Sequence, residues 1–206
     1  MGEETRIVYG AECMRDQLLG CEFDISPTAF YQTNPQQTEL LYRLAIDGMD
    51  CSRVIFLWSL LRQRNHRLCA VKDAQDKGIG IMLLGVERNP AALPTHVAMP
   101  SSTASPAALG LWPTTPPITS WTPPTTTSGS MSFPSTRRAP APPPEFLEAA
   151  CALKPRRITY ISCNPVTQER DLHQLLDGGY RLLKITPVDM FPHTDHTETV
   201  AVLERR

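Results

Sequence analysis

Several things are missing from this sequence, and each absence excludes something. There is no C-x-x-C pair: the six cysteines (Cys13, Cys21, Cys51, Cys69, Cys151 and Cys163) are scattered. That argues against a zinc or iron–sulfur site and fits reduced thiols in a cytosol. No apolar run reaches the roughly 18–20 residues a membrane span needs, and no signal peptide opens the chain. The expectation is a soluble cytoplasmic protein with no membrane partner and no metal. Net charge is also lacking, at −1 over 206 residues. Any hold on nucleic acid must therefore come from a local patch, not from an overall basic field. The length is enough to bury one good core.

A further absence is local. From Asn89 to Thr136 there is not one Asp, Glu, Lys or Arg, and Ser, Thr and Pro dominate. Of the 20 prolines, 13 lie between Pro94 and Pro144. Disordered linkers are usually charged, and folded domains rarely run so long without charge. A Pro/Thr-rich spacer is one reading of the stretch.

Either side of it the sequence is ordinary. Glu22 to Ile25 alternates as a short strand should, and Ser26-Pro27 ends it. Leu40, Leu41, Leu44, Ala45 and Met49 recur at helical spacing, which predicts an amphipathic helix from about Pro35 to Met49. Towards the C-terminus the pattern predicts a helix over Phe146–Leu153 and a buried strand over Arg157–Ser162. A second helix over Asp171–Leu176 is stopped by Gly178-Gly179, and strands follow over Arg181–Thr186 and Thr199–Leu203.

Three segments carry candidate chemistry. The first is Tyr160-Ile161-Ser162-Cys163-Asn164-Pro165-Val166-Thr167, followed by Arg170-Asp171-Leu172. A cysteine in an Asn-Pro turn just after a buried strand stands where open α/β sheets put reactive groups. A helix beginning soon after it helps to hold a thiolate. On spacing alone a buried structural cysteine fits as well. The second segment runs from Pro187 to Val200 and holds His193, Asp195, His196 and Glu198. The histidines lie in a Pro-bearing loop and not at i, i+4 on a helix, so a metal site is the weaker reading. Glu198, at the lip of a strand, suits a general base, or is simply an exposed strand-start residue. The third segment, Phe23 to Tyr42, sets aromatics beside Gln32 and Asn34. Such a set suits a lid that stacks on a planar ligand, and a packed turn explains it equally well.

In this order and spacing the three segments resemble the RNA uracil-5-methyltransferases, which make 5-methyluridine in 23S ribosomal RNA and in the tRNA T-loop. The resemblance covers roughly residues 5–50 and 145–204. It implies a Rossmann-like α/β fold, a class I S-adenosylmethionine-dependent methyltransferase domain that is incomplete and has a poorly structured centre. It implies Cys163 as the nucleophile that adds to C6 of a flipped-out uridine, and Glu198 as the base that removes the C5 proton. By the same resemblance Gln32 contacts the cofactor, and Glu87 ends the second strand and holds the cofactor ribose hydroxyls. The R-D-L after the cysteine and the P-V-D-M-F-P-H-T segment look more like the ribosomal branch, with 23S rRNA as the partner and tRNA as the alternative. A catalytically dead RNA-binding remnant is a further alternative, and a Pro/Thr-rich scaffold is another. Family members usually carry an N-terminal RNA-binding barrel and a further domain, which the resemblance leads one to miss here.

Two family features are also missing. Where a Gly-rich turn is needed the chain reads Trp58 to Arg67, and where D-P-P-R-x-G is needed it reads Pro134 to Pro140. Both can be recovered by reading allowed codons in another frame. Leu60 onward, shifted by one base, gives Tyr-Cys-Gly-Asn-Gly-Thr-Ile-Gly. Ser135 to Ala141, shifted the other way, gives Val-Asp-Pro-Pro-Arg-Ala-Gly, and Leu93 to Pro100 gives a charged helix in that same second frame. The chain is therefore expected to divide into 1–57 (catalytic domain, N-terminal part), 58–144 (frame-shifted, with 83–92 readable in frame) and 145–206 (C-terminal part with nucleophile and base). Residues from about 58 to 82 and 93 to 144 are expected to have no selected fold, and S-adenosylmethionine binding by the chain is expected to be poor.

Overall fold

The computed structural model describes residues 7–25, 31–49, 69, 73, 76, 82–86, 108–112, 130–134, 142 and 144–206. The chain begins with a hairpin of β1 (Met14–Leu18) and β2 (Cys21–Ile25), paired antiparallel from Met14↔Ile25 to Leu18↔Cys21. Leu19, at φ 49°, and Gly20, at φ 74°, make the two-residue turn. Helix α1 (Pro35–Gly48) follows. Its start is specified locally: Asn34 accepts a hydrogen bond from the Gln37 amide, and Pro35 occupies a first-turn position where no amide is needed.

Strands β3 (Met82–Val86) and β4 (Ala108–Trp112) pair in parallel. The main sheet has the order β5-β6-β8-β7, built from β5 (Ser130–Pro134), β6 (Arg157–Ser162), β7 (Tyr180–Val188) and β8 (Glu198–Arg205). β5 runs parallel to β6, while β8 is antiparallel to both β6 and β7. Helices α2 (Pro144–Ala152) and α3 (Pro165–Asp177) complete the described elements. β4 and β5 lie within the stretch for which no selected fold was expected. Their runs ALGLW and SMSFP are short, uncharged and largely apolar, a composition that a strand tolerates. The rest of the expectations for 50–81, 87–107 and 113–129, the Gly-rich turn and Glu87 among them, lie outside the described residues apart from Cys69, Asp73 and Asp76.

Strand alternation gives β6 and β8 two apolar faces. On one face Ile158, Tyr160, Ala201 and Leu203 pack with Phe146, Leu147 and Ala150 of α2 and Leu172 and Leu175 of α3. On the other, Ile161 and Val200 join Leu41, Tyr42, Ala45 and Ile46 of α1 and Leu18, Phe23 and Ile25 of the hairpin. Helices on both faces of a mixed sheet make the α/β layering that the resemblance implied. α1 sits close on its face because Gly48 has no side chain: a Cβ there would stand 2.7 Å from Val202 Cγ2 and 3.1 Å from Thr159 Oγ1.

α3 starts at Pro165, earlier than the predicted Asp171, because Asn164 caps it. The Asn164 side chain accepts from the Val166 and Thr167 amides at 3.1 and 3.3 Å. The two last strands are also longer than their apolar cores predicted, since cross-strand pairing extends them from Val188↔Glu198 to Tyr180↔Arg205.

Candidate active site

The backbone ladder between β6 and β8 ends at Ser162↔Thr199. Opposed residues of an antiparallel pair share a face of the sheet. Along the face covered by α1 the pairs are Thr159↔Val202 and then Ile161↔Val200. The next step on that face is Cys163 on one chain segment and Glu198 on the other. Each of the two residues that the sequence singled out as nucleophile and base thus lies one position beyond the last β6–β8 pair, Ser162↔Thr199, in sequence.

Their environments differ in useful ways. Cys163 is half-buried and immediately precedes Asn164, the N-cap of α3, where the helix dipole favours a negative sulfur. Glu198 is buried, at 6% exposure, and opposes Val188 of β7. Burial pushes its carboxyl up to about 7. The alternative of an exposed strand-start residue is therefore excluded for Glu198. Burial also raises the Tyr42 phenol of α1, with smaller contributions from Cys69, Tyr31 and the Glu198 charge, which puts Tyr42 within electrostatic reach of Glu198.

The connection from β7 to β8 is bound to the start of α1. Asn34 Nδ2 donates to the Met190 carbonyl at 3.1 Å, and the Thr38 hydroxyl donates to the Asn34 carbonyl at 2.7 Å, with Met190 Sδ 3.8 Å away. The F-Y-Q-T-N and D-M-F-P-H segments, distant in sequence, thereby become one wall. Gln32 lies in that wall and is buried, at 5% exposure. Tyr31 donates its hydroxyl to Asp16 Oδ2 at 2.8 Å, and Phe23, Ile25 and Tyr42 are core residues. For these aromatics the packed-turn reading holds. Phe30 lies outside the described residues.

His193, at φ 67°, and Asp195 are exposed in the turn closed by the Thr194 amide and the Phe191 carbonyl at 3.2 Å. His196 Nε2 is 3.5 Å from Asp195 Oδ1. Among the described residues there is no group of three or more His, Cys, Asp and Glu able to hold a metal ion, and no helix is long and apolar enough to cross a membrane. Glu87, next in sequence after Val86 of β3, lies outside the described residues.

Sequence reasoning passed over several residues that build this site. Asp171, at 1% exposure, accepts from the Tyr160 hydroxyl, and Gln168 and Thr199 are buried beside Cys163 and Glu198. Asp171 and Thr199 stand inside the quoted segments and Gln168 directly follows the first of them, but polar letters carry no sign of burial.

Residues 149–206 match the family model described as tRNA (Uracil-5-)-methyltransferase. An uncharacterized RNA methyltransferase of Listeria monocytogenes serotype 4b (strain F2365) is 32% identical over 211 residues, across 98% of this chain and 43% of its own length. Another, of Streptococcus mutans serotype c (strain ATCC 700610 / UA159), is 34% identical across 98% of this chain and 44% of its own. This chain is thus similar to the RNA (uracil-5-)-methyltransferases over residues 149–206 and to RNA methyltransferases along 98% of its length. It spans less than half the length of these curated relatives. Among solved structures, the Pyrococcus abyssi tRNA (uracil-54, C5)-methyltransferase in complex with S-adenosyl-L-homocysteine is similar with a TM-score of 0.63 and 22% identity, over 95% of this chain and 45% of that one. M. jannaschii TYW2 in complex with AdoMet gives 0.52 and 13% over 98% and 90%. The fold of this chain is thus the class I S-adenosylmethionine-dependent methyltransferase fold.

Proposed function

We infer that this chain carries the methyl-transfer site of an RNA (uracil-5-)-methyltransferase acting on C5 of a uridine, with 23S ribosomal RNA as the substrate. One observation supports the reading: the β6–β8 register ends at Ser162↔Thr199, and Cys163 and Glu198 are the residues next to that last pair in sequence. The residues suit the chemistry. The Cys163 thiolate adds to C6 of a uridine taken out of its stack, and the electron pair moves to C5. When bound, S-adenosylmethionine supplies the electrophilic methyl group that C5 takes. Glu198, buried and poised near neutral pH, accepts the C5 proton; the C6–S bond then breaks and the double bond returns.

Two groups of the cofactor set are present in the sequence while the Gly-rich turn is not, in keeping with the poor S-adenosylmethionine binding expected of the chain. Gln32 offers a buried amide in the wall joined to the β7–β8 connection, and Glu87 offers a carboxylate after β3 for paired ribose hydroxyls. These two residues would hold the cofactor. The RNA is assigned to the ribosomal branch from the R-D-L and P-V-D-M-F-P-H-T segments. A tRNA substrate is the second reading, favoured by the description of the matching family model.

The test is trapping on 5-fluorouridine RNA in the presence of S-adenosylmethionine, because fluorine at C5 cannot leave as a proton. A stable protein–RNA adduct that Cys163→Ala abolishes is expected, formed on a 23S rRNA fragment in preference to a tRNA T-loop. Weak RNA binding without an adduct would mark a remnant and overturn the catalytic reading. We further infer that 58–144, with the exception of 83–92, is a frame-shifted segment between 1–57 and 145–206. Sequencing of the gene decides this, and DNA that lacks the Gly-rich turn in the shifted frame refutes it.

A further inference from the structure

The backbone ladder of β6 and β8 stops one pair short of the reactive residues, so hydrogen bonds between strands do not hold Cys163 against Glu198. Side chains do this instead. The Thr199 hydroxyl lies 2.6 Å from Gln168 Oε1, to which it donates, and 3.1 Å from the Ser162 carbonyl oxygen. Gln168 Nε2 donates to the Tyr160 carbonyl at 3.0 Å, and the Gln168 amide donates to the Asn164 carbonyl at 3.1 Å. Ser162 Oγ bonds both the amide and the carbonyl of Asn164 at 3.1 Å. Each residue flanking Cys163 is thereby tied down, and the neighbour of Glu198 is tied to the same cluster.

The cluster is dry: Ser162 is at 0%, Gln168 at 2% and Thr199 at 6% exposure. For packing alone Val and Leu or Met would fill these places without the cost of burying polar groups. A closed polar network inside an apolar layer specifies one geometry where apolar contacts allow several.

We propose that Thr199 and Gln168 are positioning residues which hold the Cys163 sulfur and the Glu198 carboxylate at one working separation. The proposal rests on the reading of Cys163 and Glu198 as a reactive pair. Loss of the Thr199 hydroxyl frees the start of β8 to move against the loop that carries Cys163.

The test needs neither RNA nor cofactor. The rate of Cys163 alkylation by iodoacetamide is followed by peptide mass spectrometry on the full chain at about pH 8.5, with exposed Cys13 as the internal control. At that pH a neighbouring carboxylate opposes the thiolate, so Glu198→Gln is expected to speed alkylation about tenfold, a shift on the order of one pKa unit. The same gain is expected in a Thr199→Ser background, where the hydroxyl is kept. It is expected to shrink to within about twofold in Thr199→Val, and also in Gln168→Met, which breaks the tie from the helix side should Thr199→Val not fold. A gain that is as large in Thr199→Val and Gln168→Met as in the parent overturns the proposal and leaves the reactive pair standing. No gain in the parent overturns the reactive pair, and the positioning role with it.

Discussion

Tyr160 donates its hydroxyl to Asp171 Oδ2 at 2.8 Å, with the two side chains at 0% and 1% exposure. The bond fastens α3 across β6, and so fixes the helix whose start carries Cys163. Arg170 completes it from outside, with Nη2 2.6 Å and Nε 2.9 Å from Asp171 Oδ1. Burial first, and then Asp171, hold the phenol protonated far above its ordinary range. Tyr160→Phe leaves Asp171 with its arginine and is expected to cost about 1–2 kcal/mol. Asp171→Ala strands the buried hydroxyl and is expected to cost more, about 2–4 kcal/mol. Urea unfolding of the two variants compares them directly, and equal costs would contradict this ordering.

The stability of the chain should fall with rising pH on account of Glu198. Its carboxyl is raised from 4.5 to about 7 by burial, so the folded state binds the proton more tightly than the unfolded state. The benefit is complete below about pH 4.5 and is lost as pH rises through about 7. Glu198→Gln removes this dependence. Relative to that variant the parent is expected to lose up to about 3 kcal/mol between the two limits. Paired urea titrations at pH 4.5 and pH 8 measure it, and parallel curves for parent and variant would refute the assignment.

Asn164 caps the helix that follows Cys163, accepting from both Val166 and Thr167 amides. Asn164→Ala is expected to cost about 1 kcal/mol, and Asn164→Asp to restore most of it, since a charged oxygen caps equally well and suits the dipole. Thermal melts of the three proteins are sufficient. An alanine variant as stable as the parent would mean that the proline alone sets the helix start.

Where α1 meets the sheet, two substitutions should act in opposite directions. Gly48→Ala sets a methyl group 2.7 Å from Val202 Cγ2, and is expected to cost about 1–2 kcal/mol despite alanine's better helix propensity. Thr159 Oγ1 is fully buried and has no hydrogen-bond partner among the described residues. Thr159→Val is therefore expected to be neutral or to stabilise by about 1 kcal/mol. A loss above that from Thr159→Val would reveal a partner for the hydroxyl.

The elements around the site were legible to different degrees, for reasons that particular residues make plain. α1 could be read from Leu41, Ala45 and their neighbours because a helical stripe is a local pattern. β6 could be read because Ile158, Tyr160 and Ile161 are apolar on a strand buried on both faces. β1 was passed over: Met14-Arg15-Asp16-Gln17-Leu18 is polar and half exposed, and it is a strand only because β2 pairs with it. The start of α3 was placed too late because Val166, Thr167 and Glu169 show no apolar face, whereas the cap at Asn164 does not depend on one.

The order of residues alone singled out the candidate groups: a cysteine in an Asn-Pro turn and a carboxylate at a strand's edge, each set by a few adjacent letters. It also pointed to the family, because such strings are too specific to arise from composition. Only the tertiary structure decided that the segments carrying Cys163 and Glu198 are neighbours. Antiparallel pairing of β6 with β8 brings Ser162 opposite Thr199, and no local pattern encodes which strands will be neighbours. It likewise decided that Glu198, Gln168, Thr199 and Asp171 are buried. Burial is a property of what packs around a side chain, and for a polar residue that environment comes from segments far away in the chain.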